Sequence, residues 1–421
     1  MPRGPSSIWS SLRVRNYRLF AGGQAVSLIG TWMQRIAQDW LVLELSNSSP
    51  VALGVATALQ FTPTILLSLW GGVLADRYDK RRTLIMVLSG MALCAVVLGA
   101  LDLTRVVQLW HVYLLCFVLG CFSALEIPVR QAFVSEMVGP DQLVNAVGLN
   151  SMNFNLARIV GPAAAGLLIS SVGTGWLFVI NAFSFLAVIA GLLAMDVGTL
   201  LRTPPVAREP GQLRAGLRYV RGRPVLRALL VLLFLVSLLG QNFYLTLPLL
   251  ARNAFHGGPE AFGWLTSVFA GGSLLGAIVG ARRSGRPRLR VVAGAALAFG
   301  VFQTAAGLMP NLILTAVMLV PTGLCALLFT TAMNTNVQLS VDPSMRGRVM
   351  GLYVMLFLGS TPLGSPLLGL IGEHLGPRAP TVIGGAGSVL ATLFAVLYLR
   401  RVLARRSVGD TGAVGTVAKS A

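Results

Sequence analysis

The side chains that could do chemistry here are ionisable groups inside stretches otherwise apolar enough to lie in a bilayer: Arg35 with Asp39, Glu126 with Arg130, and Arg158. Charge at that depth is costly, so such groups usually face a cavity or a partner. Each carboxylate stands four residues from an arginine, one helical turn away, where the two can neutralise each other. Either pair can therefore be a structural ion pair or a cavity group. A dry carboxyl favours its neutral form, and one reached by water or a guanidinium favours the ion, which is the alternation a proton carrier needs. Arg130 can snorkel to the interface and leave Glu126 the deeper group, so Glu126 and Asp39 are the candidate proton sites.

Arg158 lies near midspan, and Ser151, Asn155, Arg158 and Pro162 share one helical face by their spacing. That face can line a cavity, with Arg158 meeting Glu126, Asp39 or an anionic part of a cargo, or it can serve hydrogen bonding between helices. Trp32, Gln34 and Gln38 flank the charges of the first span. In the second half, Gln241, Asn242 and Tyr244, with Asn334, Asn336 and Gln338, supply hydrogen bonds without charge. A charged first half and a neutral second half suit a large, partly apolar cargo. Trp32, Trp40, Phe154 and Phe243 can stack on it, or can simply pack and anchor at the interface. His111, His256 and His374 lie near span ends and are poor candidates for a buried relay.

The elements that position these residues follow from composition. The 421 residues are 55% hydrophobic and 11% charged, with a mean hydropathy of +0.76, which describes a polytopic membrane protein. The net charge of +19 does not point to nucleic acid, because the arginines lie between apolar spans, as orientation signals do. Cys94, Cys116, Cys121 and Cys325 fall inside apolar spans without metal-ligand spacing and read as reduced packing residues. No signal-peptide pattern opens the chain, so the span from Tyr17 is read as retained, and residues 1–16 as an arm along the cytoplasmic interface.

Twelve spans are expected, near 17–43, 51–75, 83–103, 111–130, 143–171 and 174–196, then 225–251, 261–281, 289–309, 312–341, 347–372 and 379–399. Of the 33 Lys and Arg, 27 fall in or beside the N-terminus, the 2–3, 8–9 and 10–11 turns, the central linker and the C-terminal tail, and only Arg105, Arg252 and Arg378 fall on the opposite face. Those 27 mark their face as cytoplasmic and place both termini there. The organisation is thus an N-terminal six-helix bundle over 1–196, a cytoplasmic linker over 197–224, a C-terminal six-helix bundle over 225–401 and a flexible cytoplasmic tail over 402–421. Within the linker, Leu213, Leu217 and Val220 recur at helical spacing beside Arg214, Arg218 and Arg221, which predicts a short amphipathic helix on the anionic inner leaflet. The halves echo each other at offsets of 203–204: Gly72 with Gly276, Pro140 with Pro343, Gly148-Leu149 with Gly351-Leu352, and Pro162 with Pro366. Internal repeats of this kind are common in secondary transporters, whose sites lie at midplane between the repeats.

The turn Gly72-Val73-Leu74-Ala75-Asp76-Arg77-Tyr78-Asp79-Lys80-Arg81-Arg82 resembles the signature loop of the major facilitator superfamily, with Asp79 where a glycine is usual. Pro128-Val129-Arg130-Gln131-Ala132, Leu149-Asn150-Ser151, Asn155-Leu156-Ala157-Arg158, Gly161-Pro162 and Arg346-Gly347-Arg348-Val349-Met350 are similar to the branch that holds enterobactin exporters and macrolide-efflux-type permeases. The similarity runs over residues 14–400. It implies the major facilitator fold, an all-α membrane protein of twelve transmembrane helices in two six-helix pseudo-repeats. It also implies a conformational latch that includes Gly72, in which Asp76 docks on the start of span 11 while Arg77, Arg81 and Arg82 pair with acidic groups such as Glu136. Gly161, Pro162 and Gly166 look like the antiporter motif of span 5, and a bending or packing role there needs no ligand. Two departures stand out: Gly280 replaces Asp76 in the second copy of the loop, and span 4 lacks the midspan arginine of many drug antiporters.

The expected function is secondary active transport, not enzymatic catalysis: export of an amphipathic small molecule, a siderophore or a macrolide-like drug, by alternating access in exchange for protons. An importer or lysolipid flippase would share the fold, and a non-transporting membrane sensor or scaffold is the alternative of another class. The expected partners are the small molecule, protons and membrane lipids, with no nucleic acid and no cofactor. The expected setting is a multi-pass monomer in the inner cell membrane.

Overall fold

The computed structural model describes residues 9–201, 212–282 and 287–417, of which 68–76, 212–214 and 403–417 are described along the backbone only. With no water at lipid depth, each crossing must satisfy its own peptide groups, and all the regular structure among the described residues is helical. The N-terminal half holds α1 (Arg15–Leu45), α2 (Pro50–Arg77), α3 (Lys80–Leu103), α4 (Leu109–Val172) and α5 (Thr174–Leu193). A linker helix α6 (Gln212–Arg221) precedes α7 (Pro224–Leu239), α8 (Phe243–Leu249), α9 (Pro259–Ala281), α10 (Leu289–Leu308), α11 (Leu312–Leu339), α12 (Arg346–Gly359), α13 (Thr361–Leu375) and α14 (Ala379–Val417).

Ten of the described helices or helix pairs are long and apolar enough to cross a membrane. Two features reconcile that count with twelve crossings. At 1.5 Å per residue, the 64 residues of α4 would extend about 96 Å, far more than one crossing of about 30 Å needs. The helix is divided at Gly139, where φ 70° and ψ 176° fall in a region essentially reserved for glycine, so α4 has two arms and crosses twice. The other is α1, which is not among the ten because Gln24, Gln34, Arg35, Gln38 and Asp39 dilute its apolar character.

Two further crossings are each made of paired helices. The chain bends at Gly240 to Asn242 between α7 and α8, and at Ser360 between α12 and α13. α14 continues to Val417, through most of the segment read as a tail. Asp79 starts α3 by accepting the Arg82 amide at 2.8 Å, which accounts for an aspartate in a turn where glycine is usual.

The arm before α1 is fastened to the second arm of α4. The Ser11 backbone N–H and hydroxyl both donate to Asn145 Oδ1, and Tyr17 donates to the Ala146 carbonyl. α6 docks on the C-terminal half: Val220 is buried, Tyr219 donates to Asp342 at 2.9 Å, and Arg223 pairs with Asp342 at 2.8 Å. That contact sets the linker helix against the turn between α11 and α12, where the pattern alone suggested lipid.

The halves meet along two seams, α2 on α13 and the second arm of α4 on α9. Glycines let the backbones approach: a Cβ on Gly54 would lie 2.6 Å from the Ser365 carbonyl oxygen, and one on Gly166 2.8 Å from that of Pro259. At the end of the bundle away from the termini, Ser49 donates to Glu373 at 3.1 Å and Asn253 to the Ser48 carbonyl at 2.7 Å, both between halves. At the end that carries the termini, the ion pairs Lys80–Glu136 and Arg223–Asp342 each stay within one half.

Candidate functional site

Between the halves, at the depth of the α7–α8 and α12–α13 bends, lies a cavity of about 240 Å³. Its first-half wall comprises Trp32, Arg35 and Ile36 of α1, Phe61 of α2, and Phe154 and Arg158 of the second arm of α4. Gln241, Phe243 and Tyr244 from the α7–α8 bend, Phe269 of α9, Thr330 of α11 and Phe357 of α12 face them. No aspartate or glutamate is among the lining residues.

Arg35 makes no ion pair among the described residues. Its guanidinium lies 4.1 Å from the centre of the Tyr244 ring and 4.7 Å from that of Phe61, and it donates to Gln60 Oε1 at 3.1 Å. Gln38 donates to the same oxygen at 3.0 Å, which fixes the amide that steers the arginine. Arg35 Nε is buried with no hydrogen-bond partner. Arg158 sits 5.5 Å over Phe269 and 6.0 Å over Trp32, again on aromatic faces. Among the described residues neither arginine makes an ion pair, so two cations face one void lined by aromatic rings, aliphatic side chains, an amide and hydroxyls, with no carboxylate in the lining. Trp32 also stacks on Tyr244, their ring centres 6.4 Å apart, so one tyrosine of the second half touches both sides of the charged wall.

Other candidates lie outside the lining. Asp39 is 2% exposed and its Oδ2 has no partner; it does not close an ion pair with Arg35, whose head turns toward Tyr244. Glu126 is bound to Arg130 at 2.6 Å in a largely buried pair within the first arm of α4. Gln34 accepts from Asn181 of α5 at 2.6 Å. Asn155 donates to the Ser151 carbonyl of its own helix. Asn242 stabilises the α7–α8 bend, donating to the Leu238 carbonyl at 2.7 Å and accepting from Ser365 at 3.0 Å.

Of the latch residues, Gly72 and Asp76 have side-chain positions outside the described residues. Glu136 meets Lys80 at 2.6 Å, and Arg81 donates to the Leu192 and Leu193 carbonyls at the end of α5, a favourable place for a cation. Arg77 and Arg82 are exposed. Gly161 abuts α1, where a Cβ would meet that of Trp32 at 2.5 Å, and the Pro162 carbonyl rests against Gly263 of α9.

Sequence reasoning did not single out Gln60, Phe61, Phe269 or Phe357. Gln60 had a signal, being the one amide between Ser49 and Asp76. The phenylalanines had none, since packing and cavity lining use the same residue type.

A two-half helical bundle around a central cavity defines a membrane transporter of the major facilitator type. The chain belongs to the transmembrane secretion effector family of that superfamily, whose model matches residues 6–409, a family of transporters and not of enzymes. It is 24% identical over 385 residues to the staphyloferrin A transporter of Staphylococcus aureus, covering 89% of this chain and 94% of that protein. It is 26% identical over 368 residues to the enterobactin exporter EntS of Citrobacter koseri, covering 85% of each. Among solved structures, it superposes with a TM-score of 0.70 on an inward-facing, occupied bacterial homologue of the lysosomal transporter Spinster, at 18% identity and covering 92% of this chain and 97% of that one. A POT family transporter bound to 5-aminolevulinic acid gives 0.73 at 12% identity, covering 91% and 96%.

Proposed function

We propose that this protein exports an anionic, aromatic or amphipathic chelator of the siderophore class by alternating access, in exchange for protons. The observation that carries the reading is the pair Arg35 and Arg158, two cations without carboxylate partners on the wall of an aromatic-lined cavity. A catecholate or hydroxycarboxylate supplies the missing negative charge, and its rings or apolar arms suit Trp32, Phe61, Tyr244 and Phe269. A macrolide-like amine would bring a third cation into that void, so the anionic cargo is preferred. The named functions of the relatives, staphyloferrin A transport and enterobactin export, support the same class.

The positive face fixes the proposed orientation: both termini cytoplasmic, in the inner membrane. In that orientation the contacts Ser49–Glu373 and Asn253–Ser48 close the outer end, and the cavity awaits cargo from inside. Asp39 is the first proposed proton site, being buried, unpartnered and one turn from Arg35; Glu126, paired to Arg130, is the second. The transporting unit is the monomer, with the latch residues Asp76, Arg77, Arg81, Arg82 and Glu136 biasing which end opens.

Proteoliposomes with an imposed pH gradient test this directly. Labelled hydroxycarboxylate or catecholate chelators should move against their gradient, and Arg158→Gln should raise the half-saturating concentration by about tenfold, the loss expected for one charge-assisted contact. Gradient-insensitive flux that survives Asp39→Asn and Glu126→Gln removes the proton exchange. Preferential movement of a cationic macrolide, or of lysolipid between leaflets, replaces the cargo assignment.

A further inference from the structure

A second cavity, of about 190 Å³, lies between α7 and α14 on the outer surface of the C-terminal half and shares no residue with the central one. Its walls are apolar, with Val231 and Leu235 on α7 and Ala391, Phe394 and Ala395 on α14. Phe394 is 70% exposed and Val231 48%, so the groove opens outward to hydrocarbon. One end differs. There Arg227 donates to the Tyr398 hydroxyl at 2.7 Å, three residues after Pro224 begins α7, and so at the end of the bundle that carries the termini.

That bond orients the guanidinium without neutralising it, and among the described residues Arg227 has no carboxylate partner. Arg223 nearby is different, because Asp342 already holds it. Arg401 follows Phe394 by seven residues and Tyr398 by three, so it lies on the same face of α14 one turn beyond the mouth. Arg400 adds a neighbouring charge, and both are exposed. From Arg227, Leu235 lies eight residues on, so the groove descends about 12 Å from its charged mouth into the lipid.

We infer that this groove binds one anionic phospholipid, its phosphate between Arg227 and Arg401 and one acyl chain along Val231, Leu235 and Phe394. Basic pockets between spans at headgroup level attract anionic lipid heads, and only a ligand with both a negative head and a long apolar chain matches this mouth and these walls. A zwitterionic lipid would leave the arginines without net compensation. The inference is independent of the cargo and of the transport direction.

Photolabelling of the full chain tests it. The protein is reconstituted in phosphatidylcholine vesicles with a trace of phosphatidylglycerol that carries a diazirine on one acyl chain, and labelled residues are mapped by peptide mass spectrometry. Label should concentrate on 228–235 and 391–398 and be displaced by unlabelled phosphatidylglycerol but not by more phosphatidylcholine. Arg227→Gln and Arg401→Gln should each reduce it about fivefold, the worth of one arginine at an anionic surface, while Arg227→Lys retains it. Ala395→Phe, which fills the groove and leaves every charge in place, should also lose the label. Should Arg227→Gln fail to fold, Arg401→Gln and Ala395→Phe carry the test. Label spread evenly over the lipid-facing surface, equal displacement by phosphatidylcholine, displacement by glycerol phosphate alone, or unchanged labelling in Arg401→Gln overturns the inference.

Discussion

Arg35 and Asp39 stand one turn apart in sequence, yet the guanidinium turns to two aromatic rings and an amide and leaves the carboxylate alone. A cation on an aromatic face gains about 0.5–2 kcal/mol, enough to hold Arg35 in place and little enough for an anionic cargo to displace the contact. Removal of the ring should free Arg35 to close on Asp39 and withdraw its charge from the cavity. Tyr244→Leu is therefore expected to weaken binding of an anionic chelator about tenfold, near the upper end of that range, while Tyr244→Phe keeps the ring and stays close to wild type. Equilibrium binding of a fluorescent chelator to detergent-solubilised protein reads the difference, and equal loss in both variants would assign the role to the hydroxyl. The two carboxylates should also separate by stability. Asp39 Oδ2 is buried without a partner, so Asp39→Asn should stabilise the protein by about 1–3 kcal/mol. Glu126→Gln strands Arg130 in a largely buried site and should destabilise by about 2 kcal/mol, less than a fully buried pair would lose. Thermal midpoints without a gradient, set beside gradient-driven flux, check both: Asp39→Asn should gain stability and lose flux, and a variant that changes neither has no proton role. The charges themselves were legible in the sequence because isolated polar residues stand out in apolar spans. Their partners were not, because Tyr244, Gln60 and Asn181 reach them only through packing between distant segments.

Along single elements, the breaks carry more information than the helices. Gly139, Gly173 and Gly376 all adopt positive φ with extended ψ, and Gly173 and Gly376 lie 203 residues apart, the same offset that relates the halves. They were readable as turns because each interrupts an apolar run beside Pro140, Thr174 or Pro377, and because few other residues tolerate that backbone. The bends at Gly240–Asn242 and at Ser360 were not readable. They interrupt apolar sequence, and are held by distant contacts such as Ser365 on Asn242 and Gln303 on the Gly240 carbonyl. The turn glycines allow a clean test, since a Cβ at Gly173 would meet nothing within 4 Å and any cost is the backbone's own. Gly173→Ala should destabilise by about 1–3 kcal/mol. Gly148→Ala, in open space inside a regular stretch of α4, should stabilise by about 0.5–1 kcal/mol. Thermal unfolding of the two variants under one condition gives the comparison, and shifts of the same sign would show that the φ at Gly173 is not what its glycine serves.

For the whole molecule, the two seams and the far-end contacts decide what can move. Their glycines bring backbone onto backbone across the halves, with Gly263 of α9 against the Pro162 carbonyl and Gly369 of α13 against Pro50. A seam of that kind is rigid when closed but contains few long side chains, so it can part without unthreading interlocked residues. The repeat at constant offset made two halves legible from sequence, whereas which end is shut was not, since the same residues must serve both states. The shut end is joined by Ser49 with Glu373, by Asn253 with the Ser48 carbonyl and by a loose ion pair of Arg252 with Glu44 at 4.0 Å, a set small enough to open within a transport cycle. If cargo leaves through that end, holding it closed must stop flux while leaving the cavity accessible from the other side. Ser49→Cys with Glu373→Cys, in a background without Cys94, Cys116, Cys121 and Cys325, can be bridged by a short bis-thiosulfonate. The bridged protein should still bind chelator with near wild-type affinity, transport none, and recover on reduction. Undiminished flux in fully bridged protein would mean that cargo leaves by a path other than the α2–α13 end, and the two seams would then be static supports.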